Sequence, residues 1–122
     1  FHVFDQLTTT IAILMDPEPY PVFKAGTAFP SSLKMNLETD EPGATSFEMT
    51  LVEMRGEKIN DYHKLCSIVS SEFSAKETEH KRLEFIFNLS DDGILSVQTY
   101  TLPERRLCVN NTDISIALFP VG

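Results

Sequence analysis

The strongest constraint on what this chain can fold into is residues 81–100, KRLEFIFNLSDDGILSVQTY. Leu83, Phe85, Phe87 and Leu89 alternate with Arg82, Glu84, Ile86 and Asn88. A period of two places successive side chains on opposite faces of a strand, so one face here carries only large apolar groups. Ser90-Asp91-Asp92-Gly93 then supplies turn chemistry. Asp92 tolerates the left-handed backbone region and Gly93 enters it without a Cβ clash, which lets the chain reverse tightly. Ile94, Leu95 and Val97 open a return strand, and the stretch reads as a β-hairpin.

The rest of the chain repeats this pattern in shorter pieces. Thr8 to Leu14 is β-branched and reads as a strand with Ile11 and Ile13 on one face. Asp16-Pro17-Glu18-Pro19 is a turn or loop, because two prolines so close cannot both sit in a hydrogen-bonded ladder. Val22-Phe23 is a short extended piece before Lys24-Ala25-Gly26 and Pro30. Leu33, Met35 and Leu37 alternate with Lys34, Asn36 and Glu38 as a half-buried strand. Asp40-Glu41-Pro42-Gly43 has Pro and Gly in the order of a type II turn. Phe47 to Met54 alternates as far as Leu51 and then loses phase, which predicts a bulge near Val52.

Tyr62 to Val69 reads as extended. Ser70 to His80 fits a helical turn or a loop, and the loop is favoured because Phe73 and Ala75 make no helical stripe. Pro103 breaks the chain after the hairpin, Arg106 to Val109 reads as strand, and Ile114, Ile116 and Leu118 alternate as a last one. Seven to nine short strands separated by turn signals, with no long amphipathic segment, predict an all-β antiparallel sandwich without a helical lid.

A chain of 122 residues suits one domain, residues 1–122, and its first residue, Phe1, points to a fragment of a longer chain. The net charge of −8, with Lys and Arg clustered only at Lys81-Arg82 and Arg105-Arg106, argues against nucleic acid as a partner. No apolar run approaches the roughly 18 residues that would span a bilayer, so no membrane partner is expected.

Cys66 and Cys108 read as reduced core thiols of an intracellular protein, with one bridge between two strands as the alternative. Asn88-Leu89-Ser90 and Asn110-Asn111-Thr112 match the glycosylation acceptor pattern, which matters only in a secreted protein. His2, His63 and His80 lack metal-ligand spacing and read as exposed. Asp91-Asp92 are turn formers, and Glu77 to Arg82 is a solvated charged face. With no phosphate-cradling glycine motif, no C-x-x-C and no nucleophile elbow, neither a catalytic residue nor a bound cofactor is expected.

Two stretches resemble a known family. The hairpin, with its Asp-Gly turn and Gly93-Ile94-Leu95-Ser96-Val97 return, is similar to one near the end of the peptide-binding β-sandwich of the 70-kDa heat-shock chaperones. Upstream, Pro21-Val22-Phe23-Lys24-Ala25-Gly26-Thr27-Ala28-Phe29-Pro30 resembles that family's apolar strand running into a basic residue, a Gly or Asn, and a small-residue run ending in Pro. Leu33 to Glu38 and Met49 to Glu57 resemble its next two strands, the second closing on Gly56-Glu57-Lys58. Together the likeness covers about residues 8–100. The chain departs from the family at Leu7 to Ala12, which lacks the usual Pro and Gly, at Leu65 to His80, and at Leu37, where the family often carries phenylalanine.

The resemblance implies a molecular chaperone module of the stress response that binds extended hydrophobic segments of unfolded polypeptides. In that family the peptide backbone is hydrogen-bonded by a strand edge while one apolar side chain enters a pocket. By position, the implied pocket residues are Met49 and Leu51, with Ile11, Ile13 and Met15 from the first strand and the loop after it. The likeness further implies a cytoplasmic location, co-chaperones as further partners, and ATP bound only by a separate ATPase domain of the parent chain. On the residues alone, Met15 and Met49 fit a groove or a core equally, while Met35 and Met54 read as core. The alternative function is a non-catalytic β-sandwich for protein–protein interaction or structure.

Overall fold

The computed structural model describes residues 6–15, 18–55, 62–70 and 73–114. Eight strands follow in order: β1 Thr10–Ile13, β2 Tyr20–Phe23, β3 Ser31–Glu38, β4 Phe47–Met54, β5 Tyr62–Ser70, β6 Arg82–Leu89, β7 Leu95–Leu102 and β8 Arg106–Ile114. They form two four-stranded sheets, ordered β2-β1-β4-β5 and β3-β6-β7-β8, with every pairing antiparallel. Among the described residues there is no helix, and hence none that is long and apolar enough to cross a membrane. The fold is an all-β sandwich.

The hairpin organises the second sheet. β6 and β7 pair without a slip from Arg82↔Leu102 to Leu89↔Leu95. The Ser90 Oγ closes the turn, accepting from the Ile94 amide at 3.0 Å and the Asp92 amide at 3.3 Å. Gly93, at φ 76, takes the left-handed conformation, whereas Asp92 does not. Leu83, Phe85, Phe87 and Leu89 are at most 3% exposed. They meet Ile11, Ile13, Met49, Leu51 and Ile68 of the other sheet in one core cluster. Phe47 stands edge-on to Phe85 at 5.5 Å and 6.2 Å from Phe73. Burying each such side chain contributes about 1.5–3 kcal/mol.

Several turn and strand details match their residue chemistry. The β4–β5 ladder shifts register between Leu51↔Cys66 and Val52↔Lys64, so the extra residue is Leu65 of β5. The irregularity falls beside Val52, but β4 itself keeps its phase, as its unbroken pairing with β1 requires. The Ala44 amide donates to the Glu41 carbonyl at 3.3 Å with Gly43 at φ 79, as a type II turn with Pro42 requires. Ile114 pairs with Leu95 and so closes β8 instead of opening a separate last strand. Ile116 and Leu118 lie outside the described residues, as do His2, Asp16-Pro17 and Gly56-Glu57-Lys58.

Lys81 departs from the expected solvated face. It is 4% exposed, and its Nζ lies 2.9 Å from Glu104 Oε1. A long apolar stem makes this possible: the chain packs while the ammonium reaches a carboxylate at the surface. Cys66 and Cys108 are free, half-buried thiols, both with pKa raised, chiefly by burial.

Candidate functional site

Four of the five residues implicated from sequence lie on two adjacent strands, and the fifth, Met15, follows β1 by two residues. β1 and β4 pair with Ile11 opposite Glu53 and Ile13 opposite Leu51. Since paired residues share a face and the face alternates, Ile11, Ile13, Leu51 and Met49 all point toward the other sheet. They are buried, with exposures of 0%, 3%, 0% and 8%. Beyond β1 the pairing continues, the Leu14 amide donating to the Thr50 carbonyl at 2.9 Å. The same register carried one residue further sets Met15 opposite Met49. Met15 is 39% exposed and Leu14 37%. One apolar column thus runs from the core to the surface at the end of the sandwich where β1 gives way to β2.

That end is framed by two connections bound to each other. The Thr39 amide donates to the Lys81 carbonyl at 3.0 Å, and the Lys81 amide donates to Thr39 Oγ1 at 2.9 Å. His80 Nδ1 donates to the Thr39 carbonyl at 2.9 Å, and the Gly43 amide to the Glu79 carbonyl at 2.7 Å. The Phe73 amide reaches the Thr45 carbonyl at 3.5 Å, and its ring is buried beside Phe47. The β3–β4 connection is therefore held rigidly over the start of β4.

The surface has two open depressions of about 410 and 430 Å³. The first, between Ser31, Asn88, Ser90 and Ile94, sits at the opposite end of the sandwich. The second lies among Phe73, Thr101, Glu104, Arg106 and Cys108. None of the five candidate residues lines either one. Met49 and Leu51 are buried in the core between the sheets, and Met15 marks the surface above them.

Three carboxylates with fixed partners escaped the sequence reading. Glu53, 1% exposed, accepts from Thr9 Oγ1 at 2.6 Å, and His63 Nε2 lies 3.0 Å from its other oxygen. The signal for it was present, because Met49, Leu51 and Glu53 keep one phase along β4 and so carry a carboxylate onto an apolar face. Glu84, 6% exposed, faces Lys34 at 3.4 Å and Arg105 at 3.2 Å. Its Oε1 has no aligned hydrogen-bond donor, so the Arg105 contact is charge pairing alone. Glu104 is held at a pKa of about 2, first by the hydrogen bond from Lys81 and then by the Thr101 hydroxyl. Among the described residues no three His, Cys, Asp or Glu side chains are grouped to hold a metal ion.

No known family model matches the chain, and no curated protein matches it either.

Proposed function

We propose that this chain is a non-catalytic polypeptide-binding module of a molecular chaperone, similar to the substrate-binding β-sandwich of the 70-kDa heat-shock family. What supports the reading is the column Ile11, Ile13, Leu51 and Met49 rising to exposed Met15 at one end of the sandwich. An extended client segment lies across that end, its backbone taking up hydrogen bonds at the loops, and drops one apolar side chain toward Met49. The unbranched thioethers of Met15 and Met49 repack to admit it. One Leu-sized side chain contributes about 1.5–3 kcal/mol, so binding is weak and reversible, which suits transient capture of unfolded chains. In this reading the module works in the cytoplasm, alongside co-chaperones, under the control of an ATP-binding domain elsewhere in the parent chain.

The test is fluorescence anisotropy with a labelled, extended, Leu-rich peptide. Saturable binding that competes with unlabelled apolar peptides is the expected result. No binding across a panel of such peptides would leave the second reading, a structural or protein–protein interaction sandwich. The burial of Met49 and Leu51 in the core between the two sheets is the observation that favours that alternative.

A further inference from the structure

The sandwich has four edge strands, β2 and β5 in one sheet and β3 and β8 in the other. Unpaired strand edges invite pairing with another chain, and proteins blunt them with proline, bulges, short length or cover. β2 has four residues, contains Pro21 and shifts register against β1. β5 and β8 sit in ladders interrupted by register shifts and pack against each other. β3 lacks all four, and its only deterrent is charge, the exposed Lys34 and Glu38, which are of opposite sign. Its eight residues pair with β6 without a slip, it contains neither Pro nor Gly, and among the described residues no strand lies on its outer side. Its apolar face is also undercovered. Leu33, Met35 and Leu37 are half-buried, while their β6 partners Phe87, Phe85 and Leu83 are at most 3% exposed.

The β3 sequence, Ser-Ser-Leu-Lys-Met-Asn-Leu-Glu, is self-complementary when read antiparallel about Asn36. In that register Lys34 of one copy lies opposite Glu38 of the second, and Glu38 opposite Lys34. Met35 then meets Leu37 on the apolar face. Neighbouring registers do worse. A one-residue slip sets inward side chains against outward ones. Centring on Met35 places Lys34 against Asn36, and centring on Lys34 places two ammonium groups face to face, which is destabilising. Lys34 is 63% exposed although it touches Glu84, so it is free to reach a second carboxylate.

We propose that β3 is a self-association edge, through which two copies of this chain pair antiparallel about a two-fold axis at Asn36 and join their β3-β6-β7-β8 sheets into one. The charge pairs occur twice, as an isologous interface demands.

Sedimentation velocity across a wide concentration range tests it, because single and paired charge reversals separate register from folding. Wild type is expected to dimerise reversibly. Lys34→Glu alone and Glu38→Lys alone each set like charges opposite at both symmetric positions, and weaken the dimer by about ten-fold or more. The double variant K34E/E38K restores the pairing. An equimolar mixture of the two single variants also associates, since each supplies what the other lacks. A wild type that stays monomeric throughout overturns the proposal, as does a dimer indifferent to the single reversals. So do single variants that remain apart when mixed. A monomer that loses peptide binding on these substitutions would assign the edge to a foreign strand and overturn self-pairing as well.

Discussion

Lys81 is buried, and its Nζ lies 2.9 Å from Oε1 of Glu104, across the turn that joins β7 to β8. The pairing ties the entry of β6 to that turn. It holds the Glu104 carboxyl at a pKa of about 2, below the ordinary 4.5. A depressed folded-state value means that stability is present above the ordinary pKa and is lost as pH falls through the folded one. The melting temperature of wild type should therefore drop between about pH 5 and about pH 2 more steeply than that of Glu104→Gln, with the two converging at the acid end. Lys81→Met removes the buried ammonium along with its need for a partner, and should cost less at pH 7 than Glu104→Gln. Parallel pH profiles for wild type and Glu104→Gln would contradict the assignment.

The hydrogen bond from Thr9 to Glu53 joins the segment before β1 to a carboxylate that is 1% exposed. Thr9→Val keeps the shape and removes the donor. Because a buried acceptor loses one of its hydrogen bonds, the loss should be about 1–3 kcal/mol. Urea denaturation should show a lower midpoint at an unchanged slope. His63→Ala should cost much less, since that side chain is 56% exposed and its pairing is solvent-screened. Equal losses from the two substitutions would show that Thr9 does not govern this carboxylate.

Two glycines with positive φ separate backbone strain from crowding. A Cβ at Gly43, φ +79, would sit 2.9 Å from the Glu77 carbonyl oxygen, whereas one at Gly26, φ +95, meets nothing within 4 Å. Each alanine replacement pays the left-handed penalty, of order 1–2 kcal/mol. Gly43→Ala must also push apart the two connections over β4, so it should melt lower than Gly26→Ala. If the two variants melt together, the β3–β4 connection is not held as tightly against Glu77 as the hydrogen bonds indicate.

Much of the architecture was legible because it rests on local alternation. The hairpin and the Pro42-Gly43 turn each follow from residues adjacent in sequence, whereas the irregularity beside Val52 sits on β5, at Leu65, and not on the strand whose phase suggested it. Lys81 and Glu53 were not, because their burial depends on partners 23 and 44 positions away. Arg105 at φ 54 was equally hidden. Its guanidinium lies 4.3 Å from the Tyr100 ring and 3.2 Å from Glu84, contacts that only the assembled sheet provides. For the candidate site, periodicity placed Ile11 and Ile13 on one face, while Met49 and Leu51 came from the resemblance, and only the β1–β4 pairing sets all four together. Periodicity carried no information on whether that face is open, since this depends on how the facing sheet, with Phe85 and Phe87, packs against it.

The chain has four methionines, one at the surface above the candidate site, one beneath it and two elsewhere in the sandwich. Methyl-labelled methionine therefore yields a sparse NMR spectrum that reads the proposed binding site directly. Titration with an extended Leu-rich peptide should shift the Met15 and Met49 methyl signals together and saturably, leaving Met35 and Met54 in place. Four signals that do not move, or a response confined to Met35 or Met54, would contradict the account.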